Sequence, residues 1–484
     1  MAKRYEVAVI GGGPGGYPAG IRLGQLGKTA CVIEAGDVGG VCLNWGCIPS
    51  KAVIHAAELR TEIAHAQDFG IGTGQAPVEL PKLRDWKNGI LTKLRGGIKG
   101  LLKANGVDLV EGRATFTGPK TLEVQLTKGG TETIEFEQAI IATGAHPIEL
   151  PFMPRSNPLV WTAEELLKLE ELPEHLICVG GGVIGMETAS SFGKLGCKIT
   201  VIELMDQLMP GTDPELVRPV QQKLKKMGAT IHLNSGASAL TERDGKAVLT
   251  VKGPKGEFEV VGDKVMCSIG FRPNSANLGL EQAGVEISDR GFVTVDPACR
   301  TNVPHIYAIG DVTGMPFLAH RATKMGTVAA EVIGGLPALC DWQAMPMGVF
   351  SDPEVAQVGL SEQEAKEAGH EVTVGKFPFA ALGRALAQNS TAGMVKVIGD
   401  AKNGILLGVG IVGARANDLI AEAALALEMG AAVEDLALTV HSHPTFAEAL
   451  FEAAEDALGH AIHVARPKRK SALKKQADAM LLKK

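Results

Sequence analysis

Between Gly39 and Lys51 the chain reads Gly-Gly-Val-Cys-Leu-Asn-Trp-Gly-Cys-Ile-Pro-Ser-Lys, which sets two thiols, Cys42 and Cys47, five positions apart. Pro49 suits the first turn of a helix, because the N–H it lacks has no intrahelical partner there. Cys47 then stands at or near a helix N-terminus, where the positive end of the dipole favours a thiolate. Lys51, four residues further on, adds a second positive charge on the same face. Joining the two sulfurs needs Cα atoms within about 7 Å, slightly closer than a regular helix holds residues five apart. A disulfide therefore requires distortion at the Cys42 end, which Gly46 permits. Two unrelated buried thiols satisfy the same spacing.

Near the other end, His441-Ser442-His443-Pro444-Thr445-Phe446-Ala447-Glu448 offers an acid–base group. Histidines two apart, ahead of a proline-initiated helix, suit either a metal pair or plain surface. No metal is expected, because a closed zinc site takes four ligands and no partnering Cys or His spacing accompanies these two. Glu448 is better placed to orient the His443 ring, and such a hydrogen bond fixes the tautomer and raises the imidazole's basicity.

Thiol chemistry of this kind needs an electron carrier, and the elements around the cysteines supply places for one. The apolar run Glu6–Ile10 reads as a buried strand and leads into Gly11-Gly12-Gly13-Pro14-Gly15-Gly16, then a helix over Tyr17–Leu26. A second strand, Thr29–Ile33, ends at Glu34, 18 positions after Gly16. Gly11 makes the turn, Gly13 lets backbone approach a pyrophosphate, Gly16 lets helix and strand pack closely, and Glu34 accepts from a ribose. The helix N-terminus faces the phosphates. The whole pattern recurs 169 residues later, with Leu176–Val179, Gly180, Gly182 and Gly185, a helix to Leu195, Ile199–Ile202 and Glu203. Two such fingerprints predict two dinucleotide sites. A carboxylate at Glu203 suits a free 2′-hydroxyl and repels a 2′-phosphate, and Leu204-Met205-Asp206 provides no arginine to bind one, so NAD is favoured over NADP.

The remaining stretches frame these sites. Residues 52–105 read as amphipathic helix broken near Gly70–Pro81, and Val107–Phe136 as hairpin-like strands turning at Gly118-Pro119 and Gly129-Gly130. Buried-type strands close at Ala142-Thr143-Gly144 and again at Gly270, where nucleotides bind in an open α/β sheet. The strand from His305 ends in Gly310-Asp311, a carboxylate that either caps a turn or accepts from ligand hydroxyls, and a helix follows Ala319-His320 to about Ile333. From Met345 the chain changes to strands and charged helices. Val349-Phe350 and Met394–Ile398 predict a sheet with one exposed face, and further elements are a strand over Ile405–Val412, a helix over Asp418–Met429 and a helix through Leu458. Arg466–Lys484, with eight Lys or Arg against one Asp, reads as a solvated, partly helical tail.

Composition narrows the class. The 484 residues are 45% hydrophobic and 21% charged, ordinary for a soluble chain of roughly three domains. The 60 glycines fall in short runs, which favours close backbone–ligand approaches over disorder. A net charge of −6 gives no reason to expect nucleic acid. No long uncharged apolar run suggests a membrane span, and the strand at the front leaves no place for a signal peptide. Eight cysteines in this length do not make a disulfide scaffold, and a cytoplasmic setting would keep most reduced. Cys31, Cys178, Cys197 and Cys267 read as core filling.

Taken together, Gly11–Gly16, Gly39–Lys51, Ala142–Gly144, Gly180–Glu187, Ile309-Gly310-Asp311 and His441–Glu448 resemble the two-dinucleotide flavoprotein disulfide reductases, in the family's order and over nearly the whole chain to about Ala465. The resemblance implies an α/β fold with two Rossmann-like dinucleotide-binding domains, for FAD and NAD, and a C-terminal α+β dimerisation domain. It implies boundaries at 1–148 and 273–342 for the FAD region, 149–272 for the NAD domain, 343–465 for the C-terminal domain and 466–484 for the basic tail. By the same resemblance the first fingerprint with Glu34, Lys51, Ala114, Gly144, Asp311 and Ala319 would hold FAD, tightly but not covalently. The second, with Glu187, Glu203 and Gly270, would hold NAD, and Glu187 would pair with Lys51. Cys42 and Cys47 would form a redox-active disulfide, Cys47 nearest the flavin and Cys42 exchanging with substrate. His443, oriented by Glu448, would act as acid–base from the other subunit of a homodimer. The branch most resembled is an NAD-dependent oxidoreductase that oxidises dihydrolipoyl groups, its partner a lipoyl-bearing acyltransferase of a 2-oxo acid dehydrogenase complex or a lipoyl carrier protein. Glutathione-type reductases use NADPH, which Glu203 opposes, and mercuric reductases usually end in a cysteine pair, whereas no cysteine follows Cys340. A flavoprotein scaffold without turnover would not need Cys42, Cys47, His443 and Glu448 together. Val41, where threonine is usual, and Trp45, where a smaller aliphatic residue is usual, depart from the pattern without removing a reacting group.

Overall fold

The computed structural model describes residues 2–72 and 76–465, so the tail expected over Arg466–Lys484 lies outside the described residues. The strand Lys3–Ile10 is central to the first sheet, parallel to Ala30–Glu34 on one side and Thr131–Ile141 on the other. Val7 to Ile10 are all buried, as expected of a parallel strand covered on both faces. Asp108–Gly118 extends the sheet beyond Ala30–Glu34, and Ile306–Ala308 extends it beyond Thr131–Ile141. The antiparallel strand Thr121–Leu126 closes the hairpin-like run expected between Val107 and Phe136. Helices Cys47–His65 and Leu80–Ala104 occupy most of the stretch expected to be helical, and a short 3-10 turn, Ala66–Phe69, ends the first of them.

The chain leaves this sheet through Ala145–Pro147 and returns through Phe271–Pro273, and these two strands pair antiparallel. Between them a second parallel sheet forms, ordered Thr230–His232, Lys198–Ile202, His175–Val179, Lys264–Cys267, Val160–Trp161. An antiparallel three-stranded sheet over 236–262 flanks it. The molecule thus holds two Rossmann-type α/β units. Cys31, Cys178, Cys197 and Cys267 are all buried in strands or beside them, as core filling requires.

The C-terminal unit is α+β, with an antiparallel sheet ordered Met347–Val349, Val355–Gly359, Leu406–Val412, Met394–Asp400, Val372–Pro378. The exposed sheet face expected from Met394–Ile398 is absent. Val395 through Asp400 are buried without alternation, and so is most of Leu406–Val412. Helix Pro214–Lys226 of the second unit packs over this sheet, where Leu216 lies against Gly410. Lys396, the polar residue that suggested solvent, has a side chain only 3% exposed and bonds Asp213, Glu215 and Glu362 at 2.6–2.9 Å. One buried cluster joins Val53 and Ala57 of the long helix, the second sheet's Cys178 and Val201, and Val349, Val355 and Val412 of the C-terminal sheet.

Candidate active site

The two glycine turns are built alike, residue for residue. At Gly11 (φ +106°) a Cβ would collide with the Ala142 carbonyl, and at Gly180 (φ +103°) with the Ser268 carbonyl. Both positions therefore need glycine for the turn and for the strand crossing beneath it. Gly16 and Gly185 sit against the carbonyls of Gly11 and Gly180, which any side chain would displace. Gly182 has nothing within 4 Å of where a Cβ would sit, and at Gly13 only the Gly40 Cα lies 3.7 Å away. Internal packing leaves room for a side chain at these two, so packing within the chain does not account for glycine there. That matches a pyrophosphate laid against backbone N–H groups.

The acids ending the second strands do more than their spacing suggested. Glu34 accepts from the Gly12 N–H at 2.7 Å and the Gly36 N–H at 2.8 Å. Glu203 accepts from the Gly181 N–H at 2.6 Å and the Met205 N–H at 2.8 Å. Each carboxylate thus holds its glycine turn and keeps further lone pairs able to accept from a ligand. The other residues expected in the first cradle lie on elements of the same unit. Asp311 begins the turn after Ile306–Ala308, and helix Ala319–Ile333 crosses helix Gly16–Gln25 so closely that Thr323 Oγ1 donates to the Pro14 carbonyl at 2.8 Å. Burial pushes the Asp311 carboxyl up to about 6, against the charge of Arg321, and among the described residues its oxygens accept no hydrogen bond. Such an acid fits a ligand that brings hydroxyl donors. Ala114 lies three residues beyond the Glu34–Glu111 pairing, past the end of the neighbouring strand. Gly144 (φ +71°) and Gly270 (φ +122°) both turn the chain at the ends of their strands.

Cys42 and Cys47 are joined by a disulfide with Cα atoms 4.7 Å apart. The distortion is where expected, since a short helix Gly40–Trp45 carries Cys42, Gly46 breaks it, and Cys47 opens helix Cys47–His65. The Gly39 N–H donates to the Gly12 carbonyl at 2.8 Å, which sets the stretch against the first cradle. Asn44, buried between the cysteines, was not distinguished by its sequence. Its amide donates to the Asp37 and Gly40 carbonyls, each at 2.9 Å, while its oxygen accepts from Arg95 Nε at 2.6 Å. Arg95 also pairs with Asp37 at 2.9 Å. No spacing rule signals a partner 51 residues away. Val41 is exposed and Trp45 half-buried outside the buried clusters.

One turn after Cys47, Lys51 Nζ reaches both oxygens of Glu187 at 2.8 Å and lies 4.4 Å from the centroid of the Phe350 ring. Glu187 is buried in helix Val183–Leu195, which begins at the second glycine turn, and it also accepts from the Phe350 N–H at 3.0 Å. This acid thus stands where the two nucleotide units and the C-terminal unit meet.

The two histidines separate. The His441 side chain is only 6% exposed, its Nε2 donates to Glu422 at 3.0 Å, and its ring stacks on Phe451. His443 is 79% exposed, with Nδ1 2.8 Å from Glu448 Oε1. Among the described residues no hydrogen bond or ring contact joins His443 to the cysteine pair. Burial pushes the Glu448 carboxyl up, but the Thr445 N–H and His443 outweigh it and leave it below its ordinary range. The helix expected to start at Pro444 starts at Glu448 instead. Glu448 accepts the Thr445 N–H at 2.8 Å, and Thr445 Oγ1 donates to the Ser442 carbonyl, so the intervening residues form a turn rather than helix.

A family model described as pyridine nucleotide-disulphide oxidoreductase matches residues 5–326, and the dimerisation domain of the same family matches 345–454. Dihydrolipoyl dehydrogenase of Haloferax volcanii is 47% identical over 469 residues, 96% of this chain and 98% of that protein. The protein of that name from Bacillus subtilis is 44% identical, covering 95% and 98%. Among solved structures, LpdA of Mycobacterium tuberculosis is similar with a TM-score of 0.86 at 28% identity, covering 94% of this chain and 99% of that one. With the twin cradles and the disulfide between them, these matches establish that the chain belongs to the pyridine nucleotide-disulphide oxidoreductases.

Proposed function

We propose that the protein oxidises dihydrolipoyl groups to lipoyl, with NAD⁺ as final acceptor. The observation that carries this reading is the seat of the Cys42–Cys47 disulfide, which leans on the first cradle through Gly39 and reaches the second through Lys51 and Glu187. The name borne by the long relatives supports the substrate. FAD is assigned to the first cradle, with Glu34, Lys51, Ala114, Gly144, Asp311 and Ala319. NAD is assigned to the second, with Glu203 and Gly270, and Glu187 serves it through the Lys51 pair. The division at 148, 272, 342 and 465 belongs to this proposal, supported by the paired strands where the chain leaves and re-enters the first unit.

His443 takes the proton of a substrate thiol, held in the right tautomer by Glu448. The resulting thiolate attacks Cys42, the Cys42–Cys47 bond breaks, and Cys47 leaves as a thiolate stabilised by its helix N-terminus. The second substrate thiolate then displaces Cys42, so substrate leaves as a cyclic disulfide and the protein holds two reduced sulfurs. When bound, the flavin supplies two-electron transfer between Cys47 and the nicotinamide.

His443 serves the disulfide of a second copy in a homodimer. Its exposure supports this, as do the exposed apolar side chains of Leu425, Met429, Leu438 and Val440 just before it in the chain. The partner that brings the substrate is a lipoyl-bearing acyltransferase of a 2-oxo acid dehydrogenase complex, or a lipoyl carrier protein. No helix among the described residues is long and apolar enough to cross a membrane. We place the protein in the cytoplasm, in keeping with its six other cysteines being free thiols.

Stopped-flow mixing of FAD-loaded enzyme with dihydrolipoamide and NAD⁺ tests the reading. NADH should form, NADP⁺ should serve at least tenfold less well, and Cys47→Ser should abolish turnover. Wild-type speed of flavin reduction by dihydrolipoamide in Cys47→Ser would sink the relay.

A further inference from the structure

Two cysteines outside the relay lie sulfur to sulfur. Cys299 Sγ and Cys340 Sγ are 3.5 Å apart, van der Waals contact for sulfur, although 41 residues separate them in the chain. Cys299 is buried at left-handed φ (+62°), a strained backbone for a non-glycine residue. A tight loop holds it there: its N–H donates to the Asp296 carbonyl at 2.9 Å, and its carbonyl accepts from the Ala308 N–H at 3.0 Å. Cys340 is partly exposed and belongs to the connector between helix Ala319–Ile333 and the C-terminal sheet. Its N–H donates to the Pro297 carbonyl at 2.7 Å, which brings the connector against the Cys299 loop. An open cleft runs beside the pair, lined by neighbours of both cysteines, including Ala298, Arg300, Leu339 and Asp341.

The environment distinguishes the two sulfurs. The hydrogen bond from Cys299 holds the Cys340 thiol below its usual range, and the nearby Arg321 charge adds to this against burial. That hydrogen bond and burial push Cys299 up. Cys340 is therefore the more readily ionised of the two and the one partly open to solvent, with Cys299 buried behind it. Peroxide-sensitive cysteines have this arrangement: low pKa, access, and a resolving thiol alongside. No third Cys, His or carboxylate completes a metal set among the described residues.

We propose that Cys299 and Cys340 form a second, reversible disulfide in response to hydroperoxides, separate from the catalytic pair. Cys340 thiolate attacks the peroxide oxygen and becomes a sulfenic acid as the O–O bond breaks, and the other oxygen leaves as an alcohol or water with one proton. Cys299 then attacks the sulfenic sulfur, the S–S bond forms and a second water leaves. In sum two thiols give up two electrons and two protons, and the peroxide takes both. The bond ties the connector to the first unit and fixes how the C-terminal unit hangs from it.

The test treats FAD-loaded, full-length enzyme with hydrogen peroxide, then denatures it, alkylates free thiols and maps peptides without reduction. Of the six cysteines outside the catalytic pair, two should become unreactive, joined as a Cys299–Cys340 peptide that dithiothreitol releases. In Cys340→Ser, with turnover unchanged, all five remaining thiols should stay alkylatable. Cys340 found as sulfinic or sulfonic acid beside a free Cys299, or six thiols still reactive, would overturn the proposal.

Discussion

Spacing singles out Glu34 and Glu203 as the proposed ribose acceptors, because a fixed count from glycine to acid is a short-range pattern. Their grip on the Gly12 and Gly181 N–H groups was not legible there, because it depends on how a strand end folds back over a turn 22 residues earlier. That second duty sharpens what substitution does. In Glu203→Gln the amide can accept from only one of the two N–H groups, and its NH₂ is set against the other. Losing a charge-assisted hydrogen bond and leaving a donor unpaired costs about 1.5–3 kcal/mol. The KM for NAD⁺ should then rise by roughly 10–100-fold, at about 1.4 kcal/mol per tenfold. FAD content should not change. Measured KM values for NAD⁺ within twofold of wild type would show that the glycine turn stands without its carboxylate.

Two elements carry the proposed reacting groups, and each is anchored by a residue whose role its sequence position hid. The short helix Gly40–Trp45 bends back onto Cys47 because Asn44 ties it to Asp37, Gly40 and Arg95. Asn44→Leu keeps the volume and strips the four side-chain hydrogen bonds to the Asp37, Val38 and Gly40 carbonyls and Arg95, so it should lower stability by about 2–4 kcal/mol. Denaturant midpoints measure that loss, and faster reduction of the Cys42–Cys47 bond by dithiothreitol should accompany it. The histidine pair was ambiguous in sequence because two imidazoles two residues apart look alike until burial separates them. His441, held by Glu422, anchors the strand of chain that presents His443. The Glu422 hydrogen bond raises the His441 pKa above its ordinary value, against burial. This stabilisation is therefore complete below an unfolded pKa of about 6.5 and is lost as pH rises through the higher folded value. Wild type should exceed Glu422→Gln in unfolding free energy by more at pH 5.5 than at pH 9, and an equal gap at both would refute the coupling.

At the scale of the whole molecule, the relay works only if the two nucleotide units and the C-terminal unit keep their relative positions, and the contacts that do this were the least legible. The alternation at Met394–Ile398 suggested a solvent face because Lys396 stands among valines, the ordinary signature of an amphipathic strand. What covers that face is a helix whose N-cap, Asp213, lies 183 residues before Lys396, and pattern within a strand carries no information about it. Lys396 is buried with Asp213 and Glu215 of that helix and with Glu362, and burial's downward pull on its pKa is outweighed by the three carboxylates. Its charge also helps Lys366 hold the Glu362 carboxyl down to about 2. Removing one side of such a network leaves buried charge uncompensated, so Lys396→Met should destabilise the protein by about 3–5 kcal/mol although methionine fits the space. Lys396→Met with Asp213→Leu removes the most buried partner as well and should recover a large part of that loss. The junction also sets the distance between Phe350 and the Lys51–Glu187 pair, so the single variant should lose turnover with dihydrolipoamide at temperatures where both cofactors remain bound. Equal stability of Lys396→Met and wild type in urea titrations would mean that apolar packing of Leu216 on the sheet, not the ion network, joins the units.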